Sequence, residues 1–126
     1  MNNYYREPYL VALIGALCLD YPELLSFLQD ELDAYEGDLI PEYFFQFLPL
    51  FLNKQYFKFG RTNYIVGALR FLISALNSST ENISTFLLTY FFEPLLRDRK
   101  LSSFISNDFF KQADFENILD TLFPIN

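Results

Sequence analysis

Apolar residues recur along this chain at helical spacing, and no stretch sustains the alternation of a half-buried strand. Residues 7–19 are apolar nearly all round, which predicts a first helix, Glu7 to Leu19, buried on every side. Asp20-Tyr21-Pro22-Glu23 then reads as a start signal, with Asp20 as N-cap, Pro22 in the first turn and Glu23 three residues on. The second helix runs to about Glu36, with Gly37 suited to the C′ position. Wound at about 100° per residue, it gathers Leu24, Leu25, Leu28, Leu32 and Tyr35 on one side. Glu23, Asp30 and Asp33 fall on the opposite side, with Phe27 exposed at its margin.

Pro41 opens a third helix, Glu42 to about Asn53, which Pro49 is expected to kink or divide. Tyr43, Phe44, Phe45, Phe47, Leu48, Leu50, Phe51 and Leu52 are too many for one face. Residues 53–62, with Lys54, Lys58, Gly60 and Arg61, read as a basic loop anchored by Tyr56, Phe57 and Phe59. Thr62 caps a fourth helix to about Asn77, whose narrow polar stripe (Asn63, Gly67, Arg70, Ser74, Asn77) marks it as covered on most sides. Ser78 and Glu81 form a capping box for a fifth helix that Pro94 ends or bends. Residues 97–100 are a charged turn, and a last helix, about Asp108 to Phe123, buries Phe115, Ile118, Leu119 and Leu122. The fold class expected is all-α: a single irregular bundle of about five to seven short helices over residues 1–126.

Composition narrows the function. The 126 residues are 52% apolar, which excludes disorder, and contain no His, one Cys and no Trp. Without His the usual triad base and the commonest zinc ligand are missing, and Cys18 alone forms no intramolecular disulfide. Gly15, Gly37, Gly60 and Gly67 stand alone, so no phosphate-cradling loop is present. Cys18, inside an apolar helix, reads as a small core residue. Asp30, Asp33, Glu36 and Asp38 are the densest carboxylate set, but their order is not that of an EF-hand. Asn77-Ser-Ser79 and Asn82-Ile-Ser84 match the glycosylation pattern and read as cap and linker residues. No enzyme, no cofactor and no metal site is expected.

The formal charge of −7 disfavours a nucleic-acid module, whose affinity needs cations against phosphates. Its position matters more than its size. Residues 1–42 hold nine acids and one base, whereas residues 43–111 hold eight bases and four acids. Asp20 to Glu42 contains eight carboxylates and no cation, unlike an ordinary exposed helix, which interleaves the two signs. A field of one sign on one region steers an oppositely charged partner; the bland reading is a solvated face that keeps an apolar protein soluble. Residues 9–19 have the length of a signal-peptide core but lack a positive flank, and read as a buried helix. A soluble, cytoplasmic protein without a membrane span is expected.

The stretch from Tyr21 to Phe45 (YPELLSFLQDELDAYEGDLIPEYFF) is similar to small bacterial helical proteins of the toxin-immunity kind, in which a leucine-rich acidic helix precedes a Gly-containing turn and an aromatic helix. Arg70 to Pro94 resembles their second helical pair. The resemblance implies an acidic immunity protein of a contact-dependent or other polymorphic toxin system, whose partner is a cognate toxin domain, often a basic nuclease, blocked stoichiometrically. Such proteins differ in how they bind, so the site residues come from the charge map: Glu23, Asp30, Asp33, Glu36, Asp38 and Glu42 for charge, with Phe27, Tyr35 or Tyr43 as anchors. The alternative is a helical adaptor, or a homodimer, that binds through the aromatics of residues 43–59.

Overall fold

The computed structural model describes residues 7–60 and 63–97, and these form an irregular all-α bundle with no strand. The expected Thr62 cap, the turn at 98–100 and the last helix at 108–123 lie outside them.

Helix α1, Pro8–Asp20, starts at a proline whose missing N–H is no loss in a first turn. Glu7 caps it, its carboxylate accepting from the Leu10 N–H at 2.7 Å. Leu10, Leu13, Ile14, Leu17 and Cys18, at three- and four-residue spacing, form the buried stripe. The expected burial on every side does not occur: Tyr9 and Val11 are exposed, and Leu19 is 82% exposed. One stripe fills the space the neighbouring helices leave. Nor does Asp20 cap the next helix; it is the last residue of α1. Pro22 excludes Tyr21 from helical geometry, and the Tyr21 N–H turns back to the Leu17 carbonyl at 3.0 Å. A 3₁₀ turn, Pro22–Leu24, then leads into α2, Leu25–Ala34, with no side-chain cap.

The C-terminus of α2 closes as a Schellman motif, the Gly37 N–H reaching the Leu32 carbonyl at 2.7 Å. Glu36, not Gly37, takes the C′ position at φ 57°, and Gly37 follows at φ 87°. Pro41 then opens α3, Pro41–Phe59, as the sequence implies. This helix runs unbroken through Pro49, although proline there removes the bond to the Phe45 carbonyl. It survives because Phe44, Phe45, Leu48 and Leu52 are fully buried on either side of the defect. The expected basic loop is therefore helix as far as Phe59, stopped by Gly60 at φ 74°. Lys58 lies in the last turn, where the helix dipole favours a cation.

Helix α4, Asn63–Ser78, shows the expected stripe: Asn63, Arg70, Ser74 and Asn77 are exposed, while Ile65, Ala68, Leu69, Leu72, Ile73 and Ala75 are buried. Tyr64 ties it to α3 by donating to Gln55 Oε1 at 2.9 Å. The Ser78–Glu81 capping box does not form, because Ser78 stays in α4 and donates to the Ser74 carbonyl. Thr80 takes the N-cap position of α5, Glu81–Leu87. A π-helical turn, Leu88–Phe92, continues into α6, Glu93–Arg97, so Pro94 does not end the helix. The wider turn shifts the hydrogen-bond ladder just upstream, with the Glu93 N–H on the Leu88 carbonyl, and the proline follows where the register has changed.

The core centres on Phe45, which meets Phe44, Phe86 and Phe91 edge-on at 5.2, 5.6 and 6.4 Å. Such tilted contacts add to the area term of burial. Among the described residues no single helix is long and apolar enough to cross a membrane.

Gly67 of α4 faces the Tyr21 ring so closely that a methyl group there overlaps ring atoms. Gly67→Ala is therefore expected to lower unfolding stability by about 1–2 kcal/mol, despite alanine's better helix propensity. In a Tyr21→Ala background the same change is expected to stabilise by about 0.5–1 kcal/mol. Urea unfolding of the four proteins checks the sign reversal.

Candidate functional site

The carboxylates singled out in the sequence occupy α2, the turn after it and the start of α3. Glu23, Asp30, Asp33, Glu36 and Asp38 are exposed, and Glu42 is half-buried in the first turn of α3. No Lys or Arg occurs anywhere from residue 7 to residue 53, so no cation is interleaved with them on α1, α2 or the first two-thirds of α3. Asp33 accepts from the Gln29 side chain at 2.9 Å, one turn back on the same face.

The aromatic candidates divide. Tyr35 and Tyr43 are brought together, stacked at 5.0 Å across the turn, and Tyr43 continues onto Phe47 at 6.2 Å. Phe27 is not on this surface. It is only 8% exposed and lies 5.1 Å from both Phe44 and Phe51, so it belongs to the α2–α3 contact. Leu25, expected inward, is half exposed instead. The cause is rotation: the larger ring wins the contact with α3, turning the helix towards Phe27 and away from Leu25.

That rotation has an electrostatic consequence. Glu31 stands one turn beyond Phe27 and is drawn into the edge of the contact. One of its oxygens is shielded from solvent without a hydrogen-bond partner. Burial raises its pKa above the usual carboxylate range, and Asp30 beside it adds to the effect. The Tyr35 hydroxyl is raised too, by desolvation and then by Glu31 and Tyr43. Sequence reasoning passed over Glu31 as a distinct site and Leu25 as a surface group. The only signal was that Phe27 outsizes each leucine it competes with.

Other chemistry finds little to build on. Among the described residues no three His, Cys, Asp or Glu side chains converge as a metal site would need. Cys18 is buried, and burial raises its thiol pKa, away from the reactive thiolate. A shallow groove of about 570 Å³ between α1 and α4, lined by Tyr9, Tyr21, Arg70 and Ser74, includes none of the acidic residues. No family model matches the chain, and no curated protein and no solved structure proves similar to it.

Phe27→Ala is expected to cost about 3 kcal/mol of unfolding stability, the loss of a buried ring, rather than act as a surface truncation. Chemical denaturation checks it. Glu31→Gln is expected to stabilise the protein at neutral pH. The folded pKa lies above the unfolded one, so the ionised carboxylate lowers stability above the folded value. Below the unfolded value both states are protonated and the difference vanishes. Unfolding of wild type and variant from pH 3 to pH 8 reads this convergence on the acid side.

Proposed function

We propose that the protein is an immunity protein: a stoichiometric inhibitor that binds a cationic toxin domain in the cytoplasm and occludes it. The observation that carries this reading is the run of exposed carboxylates Glu23, Asp30, Asp33, Glu36 and Asp38, in a stretch with no cation of its own. A nuclease must present Lys and Arg to grip phosphates, and a surface of one negative sign competes for those cations. Charge of this kind raises the association rate and rejects partners of the wrong sign. Apolar anchors at the border then slow dissociation, and the exposed Leu25 with the stacked Tyr35 and Tyr43 supplies them. Inhibition by cover alone asks for no catalytic group, and this accords with a chain that has no His.

The test is co-expression with the variable C-terminal domain of a secreted protein encoded in the adjacent reading frame. The expected result is relief of growth arrest and a one-to-one complex on size exclusion. Asp30→Lys with Asp33→Lys is expected to slow association about 10-fold or more at low salt and to flatten its salt dependence. An affinity unchanged by the double reversal removes the acidic face from the interface, and a neighbouring frame that encodes no toxic domain overturns the function.

A further inference from the structure

The groove between α1 and α4 is closed at both ends by a tyrosine. After the end of α1, the Tyr21 ring lies against Gly67, where no side chain intervenes. At the start of α1, the Tyr9 hydroxyl meets the Ser79 hydroxyl at 3.0 Å. Gly67 and Ser78 line the two ends of the groove, about 16 Å apart along α4. Its volume of about 570 Å³ lies in the range of small-molecule sites. The floor is apolar, with Leu13 and Ala75 buried and Phe71 half-buried.

One charge stands in this groove. Arg70 is the single Lys or Arg between residues 62 and 96, and no acid lines the groove beside it. It is exposed, and it makes no ion pair or hydrogen bond among the described residues. Residues three apart share a helix face, so Arg70 stands one turn from Gly67 and the Tyr21 hydroxyl above it. That hydroxyl is also without a hydrogen-bond partner among the described residues. A guanidinium fork with one hydroxyl beside it matches a carboxylate. A phosphate dianion asks for further cations or free backbone N–H groups, and the interior of a helix offers none. Near Ser78 the carbonyl end of α4 disfavours an anion. The negative end of a ligand therefore belongs at Arg70, with its apolar body extending over Phe71 and Ala75 towards Tyr9.

We propose that the groove between α1 and α4 binds a small aromatic carboxylate. The Arg70 guanidinium and the Tyr21 hydroxyl donate to the carboxylate, and Phe71 and Tyr9 receive the ring. The protein's net charge of −7 repels anions at a distance, so any preference for the acid over its neutral amide arises at Arg70.

The experiment is titration of the full chain with 2-naphthoate, followed by amide chemical shifts. A dissociation constant of about 0.1–1 mM is expected for a ligand of this size, with shifts centred on Gly67, Arg70 and Ser74. The amide 2-naphthamide and the variant Arg70→Gln are each expected to bind about 10-fold more weakly or worse, the loss of a charged hydrogen bond. Ser74→Leu fills the groove from an exposed helix position and is expected to abolish binding with the circular dichroism spectrum unchanged. No binding at 5 mM, shifts centred elsewhere, or an amide that binds as tightly as the acid overturns the proposal. A fall in thermal stability on Ser74→Leu without ligand assigns the groove to the chain's own residues and overturns it as well. None of these readouts uses the acidic face of α2 or a toxin, so they test the groove independently of the proposed function.

Discussion

The rest of the fold depends on Phe44 and Phe45 being buried together. They are adjacent in the chain, so on a helix their side chains point about 100° apart, yet neither has any exposed surface. A helix can hide both only if it is gripped on two flanks. Phe44 meets Phe27 of α2, and Phe45 meets Phe86 of α5 and Phe91 of the π-helical turn after it. This double grip explains why α3 runs through Pro49, since the rings on either side offset the lost hydrogen bond. It also explains what is left over. With two flanks covered, the remaining arc, which holds Tyr43, Phe47 and Leu50, faces outward.

The same contact shapes the acidic surface. Phe27 enters the α2–α3 interface and turns the helix about its axis, which carries Leu25 outward and Glu31 inward. Asp30 and Asp33 lie on the far side and stay in water. One apolar contact thus sorts neighbouring carboxylates into different states: Asp30 is solvated, while Glu31 is partly desolvated and holds its proton more tightly. The acidic face is what the packing of a single ring leaves exposed.

Charge segregation gives the two exposed surfaces different properties. The α2 face is of one sign and suits a cationic partner. The exposed side of α3 is aromatic and apolar, with Lys54 as its charged position. They adjoin where Tyr35 stacks on Tyr43, so an occupant of either lies close to the other.

Most of the architecture could be read from spacing alone. Pro41 opening α3 and the polar stripe on α4 follow from helical period and the fixed geometry of proline, which are local properties. The acids between Asp20 and Glu42 were visible for the same reason, as charge is additive along a chain. Spacing failed wherever two elements compete for one space. The period of α2 leaves its rotation open by part of a turn, and contact with Phe44 and Phe51 brings Phe27 in beside the buried Leu24 and leaves Leu25 out. Pro49 and residues 53–59 read as break and loop because local propensity omits the burial that holds the helix together. Ser78 and Asp20 carry cap chemistry, yet each ends the preceding helix, because the hydrogen-bond ladder runs to that point before the turn begins. Helical identity and the charge map therefore belong to the sequence, being set by neighbours along the chain. Which side of each helix is buried, and so which residues a partner meets, belongs to the fold, since packing between helices distant in sequence fixes their rotation.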